Sequence, residues 1–429
     1  MNTIKKLMTL LLALMLPVTA IALPPNNYDN YEFEVDGIYY KIQGNVACVT
    51  FQRYESGMHL SDYHGNVVIP STVTYQGQTY PVSIIDSYAF NYCQGLTSIT
   101  IPESITSIRS SAFYQCTGLT RVTIKDLTAW CNAYIDSNPL LYAQHLYLND
   151  TEVTDLTIPD GLTAIHDNAF QGCIGLLSVT IPNSVRTIGN NAFEDCAGLT
   201  SIEIPNSVTE IGNLAFECCT NLTRVSLGNS VAIIWGSAFE GCTSLASIDI
   251  PNSVTDIGGN AFSGCTSLSS VSIGNSVRTI NGGAFKGCAG LTSIEIPNSV
   301  ITIGGIAFKD CTGLTRVSIG NTVSSIGQEA FMNCSLIEKV TCMATTPPAW
   351  FGLNMFTTNV YNHAPLHVPT GCDRAYTAHE GWGQFLTIID DADEDNPGGD
   401  TDYLKCDVNG DGEVNIADVN KVIDAILSH

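Results

Sequence analysis

A motif that recurs every 23 residues constrains this chain of 429 residues more than any other feature. The dipeptide Ala-Phe is followed by two residues and then Cys, and eight of the nine intervals between copies are 23 residues. The other interval, from Phe113 to Phe170, is 57 residues and so holds an insertion of 34. The repeated phenylalanines are Phe90, Phe113, Phe170, Phe193, Phe216, Phe239, Phe262, Phe285, Phe308 and Phe331. A fixed period of this length indicates a repeat fold.

Each unit reads as one coil with two short segments that face a core. In the unit 199–219, apolar and polar residues alternate from Leu199 to Ile204, which predicts a strand with one buried face. Pro205-Asn206-Ser207 then predicts a turn, because Pro lacks an amide donor and Asn and Ser favour turns. Val208 and Ile211 should point inward on the return segment. One unit cannot bury its apolar side alone, so we expect a solenoid whose strands stack in parallel.

The spacing Leu-x-x-Ile-x-Ile-Pro-x-Ser-Val-x-x-Ile-Gly-x-x-Ala-Phe-x-x-Cys-x-x-Leu resembles that of the BspA-type leucine-rich repeat family of bacterial surface proteins. The resemblance covers residues 82–345. It implies an α/β-type repeat solenoid that is mainly β, in which a leucine-rich repeat arc carries a parallel concave sheet. Two parts depart from the pattern: residues 125–159, an irregular coil with Trp130 and the strand Leu146-Tyr147-Leu148, and the last unit, which has Ile337, Val340 and Cys342.

The ends of the array need covers, because terminal coils of a solenoid would expose their core. Residues 23–81 are predicted to form an N-terminal β cap, with a tight hairpin turn at Asp36-Gly37. Residues 346–389 resemble the family's closing cap and contain Tyr376, Trp382 and Phe385. Residues 390–402 are predicted to be an acidic linker.

The N-terminus predicts export. Lys5 and Lys6 precede an apolar run from Leu7 to Val18, and Ala20-Ile21-Ala22 fits a signal peptidase site. We therefore expect residues 1–22 to be a signal peptide and the protein to be secreted or displayed at the cell surface. A retained anchor is the alternative, although the run is short for a membrane span and no later stretch reaches that length.

Two columns of polar residues follow the same 23-residue period. The ten Cys residues of the repeat invite a metal or redox interpretation, but each occurs once per coil within the apolar series, which favours a buried inert thiol column. Outside that column, Cys342 and Cys372 are a candidate disulfide in the C-terminal cap. An Asn column could be a binding ladder, yet Asn at a turn more often satisfies backbone groups; its members are Asn183, Asn206, Asn229, Asn252, Asn275, Asn298 and Asn321.

The outward positions of the strands supply the candidate ligand-binding residues. They combine small polar side chains with isolated charges and are either a solvated sheet or a broad surface for proteins or glycans. The Trp at 235 stands where most units have Gly, so it is either an exposed anchor or packed against a neighbouring coil. The candidates are Glu203, Arg224, Asp249, Glu295, Arg316 and Trp235.

The C-terminal segment predicts a calcium site. Residues 407–418 have oxygen-bearing side chains at loop positions 1, 3 and 5, Gly at position 6 and an acid at position 12, which is the spacing of an EF-hand loop. A helix with an apolar side should follow from Ala417 to Leu427. The candidate Ca²⁺ ligands are Asp407, Asn409, Asp411, Glu413 through its carbonyl, Asn415 through a water, and Asp418.

Residues 403–429 also resemble a type I dockerin repeat, which implies a cohesin-like module as a possible partner. Dockerins usually pair two such repeats, and the sequence holds one, with Ile416 and Ala417 where many members have hydroxyl residues. Cohesin docking therefore stays an open alternative beside calcium-dependent ordering of an EF-hand-like tail.

Composition excludes other classes of function. With 41 acidic against 17 basic residues and a net charge of −24, the chain lacks the clustered cations that nucleic-acid binding needs. It has no His-Glu-x-x-His or Gly-x-Ser-x-Gly motif, so we expect no enzyme. The resemblance to the BspA-type family implies an adhesin-like protein that binds host extracellular-matrix or microbial surface proteins. The alternative is a dockerin-anchored scaffold or a carbohydrate-associated accessory protein within a multiprotein complex.

Overall fold

The computed structural model describes residues 30–350 and 354–390. The signal peptide, most of the acidic linker and the calcium loop predicted from the sequence lie outside these residues. The first eight strands precede the regular repeats: β1 (Phe33–Val35), β2 (Ile38–Gln43), β3 (Val46–Val49), β4 (Arg53–Glu55), β5 (Met58–Leu60), β6 (Gly65–Val68), β7 (Thr72–Tyr75) and β8 (Gln78–Ile85).

The repeats contribute two short strands per coil, and the insertion adds two helices. In chain order these elements are β9 (Leu96–Ile101), β10 (Ser107–Ile108), β11 (Arg121–Ile124), α1 (Leu127–Asn132), β12 (Tyr134–Ile135), α2 (Leu140–Ala143), β13 (Leu146–Leu148), β14 (Thr151–Glu152), β15 (Asp155–Thr157), β16 (Ala164–Ile165), β17 (Ser178–Thr180), β18 (Thr187–Ile188), β19 (Ser201–Glu203), β20 (Glu210–Ile211), β21 (Arg224–Ser226), β22 (Ile233–Ile234), β23 (Ser247–Ile250), β24 (Asp256–Ile257), β25 (Ser270–Ile273), β26 (Thr279–Ile280), β27 (Ser293–Ile296), β28 (Thr302–Ile303), β29 (Arg316–Ile319), β30 (Ser325–Ile326) and β31 (Lys339–Cys342).

The C-terminal end mixes strands and short helices. Its elements are β32 (Ala349–Trp350), α3 (Thr358–His363), β33 (Leu366–Val368), α4 (Asp373–Ala378), a 3₁₀ helix (Trp382–Gln384) and β34 (Ile388–Asp390).

Each coil has three sides, and on each side hydrogen bonds connect most coils to their neighbours. The first face consists of β6, the odd-numbered strands from β9 to β33, and β34. The second face consists of the end of β8 and the even-numbered strands from β10 to β32, except β14. On the third face the Ala-Phe segments form their own ladder, as when Phe216 donates its N–H to the Ala238 carbonyl at 2.8 Å. The predicted mainly β parallel solenoid is confirmed.

The core consists of continuous columns of identical side chains. Phenylalanine rings stack from Phe170 to Phe331 with centroids 5.1 to 5.4 Å apart, and all of them are fully buried. The column continues to Phe356, whose ring lies 5.1 Å from that of Phe331. Leu, Ile and Val of the strands fill the space between the sides, as in the unit 199–219, where Val208 and Ile211 are buried as predicted. Packing of this kind supplies most of the stability of a solenoid.

The cysteine column is structural, as predicted. All ten repeat cysteines are buried and free. Eight of them donate the thiol to a Phe carbonyl of the preceding coil over 3.0 to 3.2 Å. Burial raises the pKa of Cys93 to about 12 and that of Cys196 well above its usual value, so both stay protonated at neutral pH.

The third face turns through two left-handed residues per coil, one two positions before each repeat Phe and one two positions after it. In the coil of Phe216 these are Leu214 with φ of 60° and Cys218 with φ of 56°. Gly, Asn or Asp occupies many of these positions, as Gly283 and Gly287 do around Phe285, because such residues tolerate positive φ. The β-branched Ile306, with φ of 54°, is the residue least suited to this conformation.

A close contact on the first turn favours Gly at the positions that alternate there with Pro from residue 205 onward. A Cβ added at Gly228 would lie 2.5 Å from the Pro205 carbonyl oxygen, and Gly274 meets Pro251 at the same distance. The side chains of Asn206, Asn252 and Asn298, which follow Pro, each accept a bond from the next coil, as when the Asn229 N–H donates to Asn206 Oδ1 over 2.7 Å. These three members of the Asn column therefore have the structural role that the sequence favoured.

The insertion preserves both strand faces. Within it, β12 pairs with β10 on the second face, and β13 pairs with β11 on the first face, which confirms the predicted strand at Leu146–Leu148. Trp130 is buried and its indole N–H donates to the Ala169 carbonyl over 2.9 Å. Hydrogen-bonded pairing of strands stops on both faces between this coil and the next, which starts with β15 and β16.

Parallel pairing extends beyond the predicted limits of the solenoid at both ends. β1 and β2 form the predicted antiparallel hairpin around Asp36-Gly37, but β6 already pairs in parallel with β9. Near that hairpin, buried Asp86 accepts bonds from Lys41 and Arg109, and these contacts join the cap to the first two coils.

At the other end, β33 continues the first face from β31, and β34 follows β33. Tyr376, Trp382 and Phe385 are buried there, as a cap requires. The candidate disulfide of this cap was wrong: Cys342 and Cys372 are both free. Cys342 is buried on β31 and its Sγ accepts a bond from the Tyr376 hydroxyl over 3.1 Å, so this thiol has another partner.

Candidate functional site

The first face presents two outward columns of mostly small polar side chains. One column runs through Ser178, Ser201, Arg224, Ser247, Ser270, Ser293, Arg316 and Lys339, and the other through Thr157, Thr180, Glu203, Ser226, Asp249, Ser272, Glu295, Ser318 and Thr341. The two columns lie side by side because residues two positions apart on a strand share a face. Serine and threonine side chains are short, so the longer charged side chains project beyond them.

Five charged residues on this face lack partners. Glu203, Arg224, Asp249, Glu295 and Arg316 are exposed, and within the described residues none of them makes an ion pair or a side-chain hydrogen bond. Some charges on other faces are paired, as in Lys309 with Glu329 at 2.6 Å on the third face. Charges that are fully solvated and unpaired can engage a partner without first breaking an internal bond.

An opening lies in the middle of this face. The hydrogen-bonded ladder of strands is interrupted between β21 and β23, and again between β25 and β27. A cleft of about 450 Å³ lies there, lined by Thr223, Arg224, Val225, Ser226, Leu227, Ser247 and Asp249. It brings together two of the residues predicted from the sequence, Arg224 and Asp249, on successive coils. Sequence reasoning missed the opening, because the spacing between successive coils cannot be read from the residues of one coil.

The tryptophan predicted as an anchor or a packing residue lies on another side of the molecule. Trp235 follows β22 of the second face, and its side chain is partly accessible, with the residue 42% exposed. Its backbone N–H donates to the Ile211 carbonyl over 3.0 Å. The structure therefore does not bring it together with the five charged residues. It lines a separate cleft with Glu210 and Asp167, which sequence reasoning did not single out. The sequence does distinguish Glu210, because it is an acid at a position where Thr187, Thr279 and Thr302 stand in other coils.

No metal site accompanies these surfaces in the described part of the chain. In residues 30–350 and 354–390, no three His, Cys, Asp or Glu side chains lie close enough to hold a metal ion. None of the helices within these ranges is long and apolar enough to cross a membrane. The predicted Ca²⁺ ligands between Asp407 and Asp418 lie outside the described residues.

The repeat is shared with a known family. The family model described as "BspA type Leucine rich repeat region" matches residues 66–136, 143–269 and 232–348 in 6 copies, which is more than half of the chain. The chain belongs to the BspA-type leucine-rich repeat family. BspA-type repeats of this kind indicate a protein-interaction role.

Solved structures of other leucine-rich repeat proteins are similar to this BspA-type chain. A leucine-rich cell surface protein from Faecalibacterium prausnitzii is 29% identical, with 72% of this chain and 93% of that chain covered and a TM-score of 0.45. A leucine-rich repeat protein from Bacteroides ovatus is 23% identical, with 84% and 100% covered and a TM-score of 0.37. The pneumococcal vaccine antigen PcpA is 17% identical, with 87% and 98% covered and a TM-score of 0.45. No curated protein matches the chain.

Proposed function

We propose that this chain is a non-enzymatic, secreted or surface-displayed binding protein whose first face contacts a protein ligand. The observation that carries the proposal is the set of five exposed, unpaired charges among small hydroxyl side chains. A BspA-type family membership and an N-terminal sequence typical of an export signal support the location.

The arrangement of the charges fits an extended protein ligand. Glu203, Arg224 and Asp249 lie on three successive coils, and Glu295 and Arg316 repeat the same order of acid and base further along the array. Coils in a parallel sheet are about 4.8 Å apart, so successive charges are spaced closely enough to meet successive side chains of one partner. Complementary charges of this kind chiefly give specificity and a fast association rate.

We propose further that the ligand is a surface protein of the host matrix or of other microbes, so that the protein is adhesin-like. Such partners are large and already folded, and a broad, low surface can contact them without a deep pocket. Small-molecule binding is the less suitable alternative for this face, because its cleft is open and lined mostly by polar groups.

A serine-replacement variant tests the first face. Glu203, Arg224, Asp249, Glu295 and Arg316 are each changed to Ser, which neighbouring coils carry in the same columns, so the fold should be unaffected. The matched control changes Glu240 and Lys286 to Ser, since Ser263 lies between them in their own column on the third face. Binding to purified extracellular-matrix and microbial surface proteins is compared by biolayer interferometry. We expect the first variant alone to lose at least tenfold in affinity for its ligand; equal binding by both variants would contradict the proposal.

We also propose that residues 407–418 bind Ca²⁺. The support is the donor set in the sequence: hard oxygen ligands at loop positions 1, 3, 5 and 12, with Gly at position 6 for the turn. The bound ion would order the tail, residues 403–429. Cohesin docking through this tail is the alternative role, and binding of a cohesin that survives removal of the repeats would support it.

A further inference from the structure

A cleft beside Trp235 on the second face has the features of a binding site. It has a volume of about 390 Å³, and its lining residues span four coils. Besides Trp235, the residues that matter for its chemistry are Gly189, Gly212, Glu210 and Asp167. The half-exposed indole forms one side of the cleft.

The cleft exists because one large residue interrupts a column of glycines. Gly189 and Gly212 are the equivalents of Trp235 in the two preceding coils, and a Cβ at Gly212 would lie 2.6 Å from the Gly189 carbonyl carbon. Close backbone packing therefore keeps side chains off these two positions. The indole therefore lies next to backbone that carries no side chains, and space for a ligand remains beside the ring.

Most polar groups of the cleft are already used within the protein. Asp167 Oδ1 accepts a bond from the Asn190 N–H over 2.7 Å, and Asn190 Oδ1 accepts one from the Asn213 N–H over 2.9 Å. The Asn213 Oδ1 in turn accepts from the Gly236 N–H over 3.1 Å. The side-chain amide groups of both asparagines donate along the same ladder. This ladder holds the coils together and leaves few donors for a ligand.

The group that remains available is a carboxylate. Glu210 on β20 is exposed, and its side chain has no hydrogen-bond or ion-pair partner among the described residues. No Lys, Arg or His lines the cleft in the described part of the chain. Arg186, which precedes the lining residue Thr187, donates its guanidinium to the Asn183 carbonyl over 2.9 Å and is thereby engaged.

We propose that this cleft binds a lysine or arginine side chain of a basic segment of a partner protein. Tryptophan is the best aromatic platform for a cation, and the nearby carboxylates of Glu210 and Asp167 favour a positive charge. A sugar needs donors as well as acceptors, and the cleft offers mainly acceptors. The chain already makes one such contact internally, where the Arg121 guanidinium lies 3.9 Å from the centre of the Tyr147 ring. This site is independent of the first face.

Fluorine NMR of the full chain labelled with 5-fluorotryptophan tests the proposal. The Trp235 resonance is identified by its loss in Trp235→Gly, which introduces the residue that both neighbouring coils have at this position, Gly212 and Gly258. The probes are acetyl-Gly-Arg-Gly-amide, its lysine counterpart and its uncharged citrulline counterpart, added at about 0.15 M salt so that non-specific attraction to an acidic protein is screened.

We expect a saturable shift of the Trp235 resonance with the arginine or lysine peptide. The citrulline peptide should give none, and Glu210→Gln should weaken the effect at least tenfold. Three results would each overturn the proposal: no saturable shift, an equal shift with citrulline, or an unchanged affinity in Glu210→Gln. A shift with glucose, galactose or N-acetylglucosamine that ignores Glu210→Gln would identify a sugar site instead. The first-face serine variant keeps Trp235 and Glu210, so its ligand binding is measured independently of this experiment. Either proposal can therefore be contradicted without the other.

Discussion

Replacing Gly274 with Ala tests whether close backbone contact between coils sets the Pro and Gly alternation. The added Cβ would lie 2.5 Å from the Pro251 carbonyl oxygen and 2.6 Å from its carbon, whereas ordinary contact begins at 3.4 Å. The coil would have to move by about 0.9 Å, the difference between these distances. A movement of that size would disrupt the bond of 2.7 Å from the Asn275 N–H to Asn252 Oδ1.

The expected cost follows from these contacts. Overpacking costs about 1–3 kcal/mol, the lost hydrogen bond adds about 1 kcal/mol, and the lower entropy of the unfolded chain returns about 0.4–1 kcal/mol. Gly274→Ala should therefore destabilise its coil by about 2–3 kcal/mol. The matched control is Gly264→Ala, where the nearest atom is 3.7 Å from the new Cβ and the cost comes only from a φ of 72°. We expect the control to cost about 1 kcal/mol.

Hydrogen exchange with mass spectrometry measures this locally, which matters because repeat arrays need not unfold in one step. Amides of residues 251–280 should exchange about 30-fold faster or more in Gly274→Ala, as a loss of at least 2 kcal/mol implies. Amides of residues 90–120 should be unchanged. Equal protection in Gly274→Ala and Gly264→Ala would refute the argument that backbone contact, rather than backbone conformation, requires Gly at 274.

Three further predictions concern charge and metal binding. Burial, together with Glu194, Glu240 and Asp195, raises the pKa of Glu217 from 4.5 to about 6, so the penalty on folding grows between these two pH values and is complete above the higher one. Glu217→Gln should therefore stabilise the protein by about 1 kcal/mol at pH 8, after allowance for solvent screening, with no gain below about pH 4.5 in urea unfolding. Burial alone would raise the pKa of Asp86, but bonds from Lys41 and Arg109 outweigh this effect and lower that pKa. Asp86→Asn should cost about 2 kcal/mol of stability at pH 7. The difference in stability from the unchanged protein should shrink as the pH falls through the lowered pKa, because protonation of Asp86 removes the same bonds. Chelation should remove the protease resistance of residues 403–429, and unchanged resistance would contradict calcium binding at Asp407–Asp418.

The sequence predicted the repeating architecture well because its period fixes which residues lie above one another. Phe216 and Cys219 could be placed in buried columns from spacing alone, and Asp36-Gly37 sufficed to place the hairpin. The outward position of Glu203 and Arg224 followed from alternation along their strands. All of these are properties of one coil or of its exact repetition.

Features that depend on distances between coils could not be predicted from the sequence. The opening at Arg224 and Asp249 arises where two strands cease to pair, and no turn residue marks it. Phe356 continues the aromatic column, but Pro347-Pro348 had ended the sequence register before it. Cys342 and Cys372 were compatible with a disulfide in an exported protein, yet the Tyr376 hydroxyl bonds to Cys342. Each of these cases depends on how one coil lies against another, through backbone pairing in the first and side-chain contacts in the other two.

Site-specific photo-crosslinking tests the central claim that the first face receives the protein ligand. A photoreactive amino acid replaces Ser226 or Ser272, which are exposed on the first face, or the partly exposed Lys286 on the third face as the control. Each protein is incubated with the ligand selected by interferometry, irradiated and examined by mass spectrometry. The account predicts crosslinks from positions 226 and 272, and far fewer from 286. Crosslinks that form mainly from 286, or equally from all three positions, would contradict it.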